Sequence, residues 1–130
     1  NVRRVDNAEL IASSDVVSLH CPLTDETRHL IDADALQSMK DTAYLVNTAR
    51  GACVDEKALV KALQEGQIAG AGLDVYEGEP QISPELLGME NVVLLPHIGS
   101  ATRQTREQMS ALTARNILAV LAGEQAETAL

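Results

Sequence analysis

The sequence predicts an α/β fold in which a parallel sheet has helices on both of its faces. Four short apolar runs alternate with segments that have helical start signals, and this order is typical of a parallel sheet. The runs do not alternate between apolar and polar residues, which favours strands buried on both sides. A length of 130 residues with 45% hydrophobic content suits one domain with a buried core.

Three helices are predicted to begin directly after an aspartate. Asp6, Asp32 and Asp55 can each accept a hydrogen bond from a free amide at a helix amino end. Glu9 strengthens the first start because it lies three residues after Asp6. An apolar residue before each aspartate can pack on another inside the helix. These pairs are Val5 with Leu10, Ile31 with Leu36, and Val54 with Leu59. The third helix is predicted to end near Gly66.

A fourth and longer helix is predicted to begin near Thr102. Its apolar residues recur with helical spacing and form one stripe. They are Ala114, Ile117, Leu118 and Leu121. Gly123 is predicted to end the helix, and residues 124–130 are predicted to form a frayed tail.

The apolar runs between the helices are predicted to be strands. They are Val16–Leu19, Ala43–Val46, Gly70–Val75 and Val92–Leu95. Val2–Val5 is predicted to add a short strand at the sheet edge, and Glu77–Gly88 is predicted to be a loop. Parallel strands end at one edge of their sheet, where ligands gather. Polar motifs follow each strand and should meet at that edge.

The charge of the chain excludes some partners. The formal net charge is −9, so a nucleic-acid backbone would be repelled. No apolar run approaches the ~18–20 residues that span a membrane. Cys21 and Cys53 have no metal-ligand spacing, so no metal site is predicted. They are expected to be reduced thiols of a cytoplasmic protein, with a disulfide or a reactive thiol as the alternative.

Arg50, His97 and Glu79 are the candidate catalytic residues. Arg50 follows a strand and precedes Gly51, and a guanidinium there can hold a carboxylate with two parallel hydrogen bonds. His97 directly follows a strand, where it can donate a proton to a carbonyl oxygen. A carboxylate such as Glu79 would orient that ring and favour its charged form. The alternatives are an arginine that ties a loop, a structural histidine and a surface glutamate.

Asp74 is a further candidate because it ends a strand of small residues. It can accept a hydrogen bond from an amide or a hydroxyl group, or it can cap a turn. His20 and His29 are predicted to be structural.

Four motifs together resemble the D-isomer-specific 2-hydroxyacid dehydrogenase family, most closely its glyoxylate/hydroxypyruvate reductase branch. They are Leu19–Thr24, Asn47–Gly51, Gly70–Pro80 and Pro96–Thr102. The resemblance implies a Rossmann-type dinucleotide-binding domain and an NAD- or NADP-dependent reductase of a small 2-keto acid. It also implies a homodimer, since relatives are usually dimers.

The resemblance implies a role for each candidate. Arg50 would bind the substrate carboxylate, and His97 would be the acid/base with Glu79 as its partner, since the family's glutamate stands directly before the proline. The residues implied to border the cofactor are Cys21, Pro22, Thr48, Ala49, Arg50, Asp74, His97, Gly99 and Ser100.

The sequence also departs from the family pattern. Family members carry a Gly-x-Gly-x-x-Gly turn ahead of the segment that matches Asn1, and a substrate domain built from both chain ends. That turn binds the pyrophosphate through backbone amides. Residues 1–130 are therefore predicted to be the C-terminal portion of a dinucleotide-binding domain, inactive when isolated. The residue that selects NAD or NADP is not in this sequence.

Two other functions stay open at this point. A nucleotide-sensing protein, like the corepressor relatives of this fold, would keep the same residues and bind a partner protein. A structural α/β fragment would describe the isolated chain. A formate-type dehydrogenase is disfavoured because those relatives have an amide at the position of Glu79.

Overall fold

The computed structural model describes residues 2–129 as two units, each of which is described separately. The first unit extends to His97, and the second begins at Ile98. Asn1 and Leu130, the ends of the predicted domain and of the predicted tail, lie outside the described residues.

The first unit alternates helices with strands. In chain order the elements are α1 (Asn7–Ser13), β1 (Val16–Leu19), α2 (Ala33–Ser38), β2 (Tyr44–Asn47), a 3-10 turn (Gly51–Cys53), α3 (Glu56–Gln64), β3 (Gly70–Leu73), α4 (Pro84–Leu87) and β4 (Val92–Leu94). The four predicted strands are confirmed, with bounds that differ by at most two residues. The one-turn helix α4 lies inside the segment predicted to be a loop, and Pro84 begins it.

The predicted helix starts are confirmed at each aspartate. The side chains of Asp6, Asp32 and Asp55 accept hydrogen bonds from backbone amides three residues later, at 2.8, 2.9 and 3.0 Å. Each bond satisfies an amide that the helix itself leaves free, so these starts are fixed by local sequence.

The four strands form one parallel sheet in the order β1-β2-β3-β4. Leu19 pairs with Asn47, Asn47 with Leu73, and Leu73 with Leu94. All four strands therefore end at the same level. The loops that follow them emerge along one edge, where the sequence placed the candidate residues.

The core lies against one face of this sheet. Val17, Leu45 and Ala71 point to that face in line with one another, and they belong to the same buried cluster as side chains of α1, α2 and α3. On the opposite face, Val16 and Tyr44 are 57% and 52% exposed. The predicted α/β class with a parallel sheet is confirmed, whereas the burial expected on the second side of the strands is incomplete within this unit.

The strand predicted at Val2–Val5 is absent, and residues 2–6 have no regular structure. Arg3 instead forms an ion pair with Glu9 of α1. Among the described strands, β1 therefore pairs with β2 alone.

The second unit is built on α5 (Arg103–Leu121), whose predicted start is confirmed. The Thr102 hydroxyl accepts a hydrogen bond from the Thr105 amide at 3.2 Å. The predicted apolar stripe is exposed rather than buried, with Leu118 at 66% exposure. Among residues 2–129, no helix has both the length and the apolar character to cross a membrane.

The tail after Gly123 makes hydrogen bonds to α5. The Asn116 side chain accepts from the Glu127 amide at 3.0 Å and donates to the Thr128 hydroxyl at 2.7 Å. Fraying of this tail stays a prediction, and it would require these bonds to open.

Candidate active site

Asn47 shapes the loop that carries Arg50. Its side chain is 1% exposed at the end of β2. The amide nitrogen donates to the Arg50 carbonyl at 2.9 Å, and the amide oxygen accepts from the Ala49 backbone at 3.0 Å. One buried amide thus closes the turn over residues 47–50. Without this side chain the Ala49 amide would lose its acceptor, whereas the Arg50 carbonyl would still accept the Cys53 amide at 3.1 Å.

Gly51 brings the Arg50 loop against the loop that carries Glu79. A methyl group added at Gly51 would lie 1.9 Å from the carbonyl carbon of Tyr76 and 2.5 Å from the amide nitrogen of Glu77. Only a residue without a side chain allows this approach of two backbones. The loops after β2 and β3 are therefore packed directly on each other.

Replacement of Gly51 by Ala is expected to destabilise the first unit by about 1–3 kcal/mol, because the obstructing atoms are backbone and cannot rotate away. Urea unfolding of the chain measures the loss. Gly78→Ala is the matched control in the neighbouring loop, since a methyl group there would meet its nearest atom at 4.0 Å. Equal stability of the two variants would contradict the close approach.

Glu79 and His97 form a hydrogen-bonded pair. The Nδ1 atom of His97 lies 2.9 Å from Oε2 of Glu79. The other carboxylate oxygen, Oε1, accepts the Tyr76 backbone amide at 2.9 Å. Glu79 is thus held at both oxygens, and the Nε2 atom of the imidazole is left for other partners. The sequence prediction that Glu79 rather than Glu77 is the partner of His97 agrees with this geometry.

His97 itself has an unusual backbone conformation. Its φ is 55°, in the left-handed region that non-glycine residues seldom adopt. Such strain is often found at functional sites, where the surrounding structure imposes it. The side chain is 50% exposed, and His97 follows the end of β4 at Leu94 by three residues.

Tyr76 joins the ends of β3 and β4 beneath this pair. Its ring is buried, and its hydroxyl donates to the Leu95 carbonyl at 2.7 Å. Burial raises the pKa of this phenol, so it stays a donor. Together with Glu79, Pro80, Ile82, Pro96 and His97, Tyr76 lines a cleft of ≈ 340 Å³.

The pKa of the Glu79 carboxyl is lowered. The hydrogen bond from His97 is the largest cause, followed by the bond from the Tyr76 amide. Charges on His97 and Arg50 lower the pKa further, against the opposing effect of burial. The guanidinium of Arg50 therefore belongs to the same electrostatic neighbourhood as the histidine–glutamate pair.

The stabilisation from Glu79 is expected to depend on pH. Because the folded state lowers its pKa, the contribution is complete above the ordinary glutamate pKa and is lost as the pH falls through the lowered value. Unfolding free energies of the native chain and of Glu79→Gln, measured by urea from neutral to acidic pH, should therefore converge in acid. A gap that does not change with pH would contradict the ionised pair. Glu85→Gln, an exposed change on α4, serves as the control.

Arg50 is exposed at the start of the 3-10 turn. Its Nη1 atom donates to the Ala49 carbonyl at 2.7 Å. Arg50, Thr48 and Ala49 line a second cleft of ≈ 600 Å³ with His20, Cys21, Pro22 and Leu23. The loops after β1 and β2 thus meet here, as expected from the parallel order.

The two thiols lie close together at this cleft. The sulfur atoms of Cys21 and Cys53 are 3.9 Å apart, and both residues are free cysteines. Burial is the main cause of a raised pKa at Cys53. Cys21 is half-buried, and it is the thiol that lines the cleft.

The remaining sequence candidates occupy different surroundings. Asp74 directly follows β3 and is 3% exposed, and its amide donates to the Asn47 carbonyl at 3.0 Å. Gly99 and Ser100 belong to the second unit, in the turn that precedes α5. Their roles beside a cofactor stay predictions.

Sequence reasoning missed the supporting residues of this site. The sequence places Asn47 in a motif but does not predict that its side chain closes the loop. The signal for that role is a polar residue at the end of an apolar strand. His29 was predicted to be structural, but its pairing with Glu77 was not foreseen. The two residues are 48 positions apart, so no local pattern could reveal that contact.

The known proteins that are similar to this chain belong to one family. Residues 1–99 match the family model described as "D-isomer specific 2-hydroxyacid dehydrogenase, NAD binding domain". A glyoxylate reductase of Thermococcus litoralis is 56% identical over 120 residues, which cover 92% of this chain and 36% of that protein. A glyoxylate reductase of Thermofilum pendens is also 56% identical, over 95% of this chain and 37% of its own. The chain thus spans about a third of the length of these curated relatives.

Solved structures show the same similarity. An NADPH-dependent glyoxylate/hydroxypyruvate reductase from Sinorhizobium meliloti, in complex with NADP and malonate, matches with a TM-score of 0.93 and 41% identity. The match covers 95% of this chain and 39% of that one. A D-lactate dehydrogenase with NAD+ from Lactobacillus jensenii matches with a TM-score of 0.87 and 32% identity, over 97% and 42% of the two chains.

Proposed function

Because the chain belongs to the D-isomer specific 2-hydroxyacid dehydrogenase family, we propose that it forms the catalytic edge of an NAD(P)-dependent reductase. The substrate is a small 2-keto acid such as glyoxylate or hydroxypyruvate, and the product is a D-2-hydroxy acid. The observation that carries the proposal is the 2.9 Å bond between His97 and Glu79, whose pKa also responds to the charge of Arg50.

His97 is the proton donor in this reaction. Its Nδ1 atom is engaged by Glu79, so a proton on Nε2 can pass to the carbonyl oxygen of the substrate. The hydrogen bond to the carboxylate of Glu79 fixes the plane of the ring. General acid catalysis of this kind contributes about 10²- to 10⁴-fold to a rate.

Arg50 binds the substrate carboxylate. A guanidinium offers two parallel donors that match the two oxygens of a carboxylate. Arg50 lines the open cleft beside the loop that follows β1, where its guanidinium is exposed to an incoming ligand. Holding the keto acid there would align its carbonyl oxygen with Nε2 of His97.

The residues of this edge fit the nicotinamide half of NAD or NADP. Thr48, Ala49 and Arg50 line an open cleft with Cys21 and Pro22. We also assign Asp74, which follows the neighbouring strand, to cofactor binding. Gly99 and Ser100 of the second unit are assigned to it separately, from the family resemblance. The reduced nicotinamide supplies a hydride to the substrate carbon. This chain has no Gly-x-Gly-x-x-Gly segment for the pyrophosphate.

We assign residues 1–130 to the C-terminal portion of the dinucleotide-binding domain, and we expect the isolated chain not to turn over. The coverage of about a third of each relative supports this assignment. By kinship with the family, the full-length protein is proposed to be a cytoplasmic homodimer. A net charge of −9 argues against a nucleic-acid partner.

An enzyme assay of the full-length protein that contains this chain tests the proposal. Oxidation of NADH or NADPH, followed by its ultraviolet absorbance, should depend on glyoxylate or hydroxypyruvate. Chiral chromatography should then identify D-glycerate as the product from hydroxypyruvate. An L product, or no oxidation with any 2-keto acid, would refute the proposed function.

A further inference from the structure

His29 connects two loops of the candidate site. Its backbone amide donates to the Ala52 carbonyl at 2.8 Å, inside the 3-10 turn that Arg50 precedes. Its Nε2 atom lies 2.7 Å from Oε1 of Glu77, in the loop that carries Glu79. His29 is half-buried, and it therefore contacts both the turn that follows Arg50 and the loop that carries Glu79.

The backbone of His29 is held in a strained conformation. Its φ is 51°, and the other non-glycine residue with a positive φ among residues 2–129 is His97. A bulky residue in this region needs compensating contacts. The hydrogen bonds to Ala52 and Glu77 supply them.

Glu77 is fixed by a second set of bonds to Glu56 at the start of α3. The Glu77 amide donates to Oε2 of Glu56 at 3.0 Å, and the Glu56 amide donates to Oε2 of Glu77 at 3.4 Å. Glu77 thus lies between His29 and the amino end of a helix. Of these two acidic groups, Glu77 contacts the His29 ring, and the backbone of Glu77 also lies against Gly51.

We propose that His29 is a positioning residue: through Glu77 it holds the 76–79 loop against the Arg50 turn, so that the Glu79 carboxylate faces His97. This inference rests on the proposed function. Glu79 follows Glu77 by two residues, and its Oε1 atom accepts the amide of Tyr76, directly before Glu77. Displacement of Glu77 therefore moves both the chain that carries the carboxylate and the amide that orients it.

A matched pair of variants tests the positioning role. His29→Leu removes the ring donor, whereas His29→Gln places an amide nitrogen near the position of Nε2. Neither new residue favours a positive φ, so the backbone cost is shared. Lys40→Ala, which breaks the 2.8 Å ion pair with Asp15 elsewhere on the surface, controls for the loss of any ion pair.

The first readout is the pKa of the Glu79 carboxyl, followed by carbon NMR in the 130-residue chain. His29→Leu should raise this pKa toward the ordinary glutamate value, because the bonds from His97 and Tyr76 loosen. His29→Gln and Lys40→Ala should leave it lowered. If His29→Leu does not fold, as judged by circular dichroism, the pKa of Glu79 is measured in Glu77→Ala instead, where the same rise is expected. An unchanged Glu79 pKa in the folded variant overturns the proposal.

The second readout is the kinetics of the full-length protein. His29→Leu should lower kcat/KM for the keto acid by about 10- to 100-fold, since small displacements of catalytic groups have effects of this size. The KM for the cofactor should not change, and His29→Gln should recover most of the activity. A loss of activity that His29→Gln does not restore would count against positioning through the ring donor.

The two readouts separate this inference from the function on which it rests. A raised Glu79 pKa in His29→Leu would support the link between His29 and Glu79. If the full-length protein then reduces no keto acid, the proposed reductase function is refuted but that link is not. Reductase activity of the full-length protein, together with an unchanged Glu79 pKa in His29→Leu, would support the proposed function and refute the link between His29 and Glu79.

Discussion

Replacement of His97 by Asn is expected to lower kcat of the full-length reductase by about 10²- to 10⁴-fold, the usual contribution of a general acid. Asparagine tolerates the positive φ at this position better than most residues. Its side-chain amide can still donate a hydrogen bond toward Glu79, but an amide N–H is too weak an acid to transfer a proton to the substrate. Steady-state rates with hydroxypyruvate and reduced cofactor measure the loss.

The affinity for the cofactor should change little in this variant, and a fluorescence titration with NADH or NADPH checks that. Lys40→Ala is the control, because it breaks the 2.8 Å ion pair with Asp15, which lies outside both clefts of the candidate site. Near-normal turnover in His97→Asn would rule out His97 as the acid. An equal loss in both variants would point to a general disturbance of the fold.

Much of the fold could be predicted because its determinants are local. The aspartate caps of α1, α2 and α3 act over three residues, and each bond is present. The parallel order then placed the loops after the strands at one edge. That argument needed only the alternation of helix and strand, and it located Arg50, Asp74 and His97 without knowledge of any contact.

What could not be predicted depends on contacts between distant residues or on missing neighbours. A glycine at position 51 indicates a flexible backbone. It does not indicate that the Tyr76 backbone lies against this position. The left-handed φ of His97 has no sequence signal, since histidine is only moderately common in that region. Val16 is 57% exposed, and an apolar run could not show this because burial depends on neighbours that are distant in the sequence.

The geometry also explains why the proposed site needs several loops at once. Glu79 is held by a bond from His97, a bond from Tyr76 and the charge of Arg50, which come from loops after β2, β3 and β4. Each effect is modest when alone, because the carboxylate is partly exposed to water. Their sum depends on the register of the sheet and on the Gly51 contact that joins two of the loops.

Replacement of Arg50 by Lys is expected to raise the KM for the keto acid by about 10- to 100-fold in the full-length protein. A lysine keeps the positive charge but offers a single ammonium group in place of two parallel donors. Loss of one charge-assisted hydrogen bond costs about 1.5–3 kcal/mol, which corresponds to that range. Arg4→Lys, at an exposed arginine ahead of α1, should leave the KM unchanged.

A substrate without the carboxylate isolates the interaction that Arg50 makes. The amide or methyl ester of the same keto acid should bind weakly to the native protein, and Arg50→Lys should weaken it no further. If the guanidinium instead only ties its own loop, through the 2.7 Å bond to the Ala49 carbonyl, the variant would lower the rate with acid and ester by the same factor. The ratio of the two effects therefore decides between a substrate-binding arginine and a loop-stabilising one.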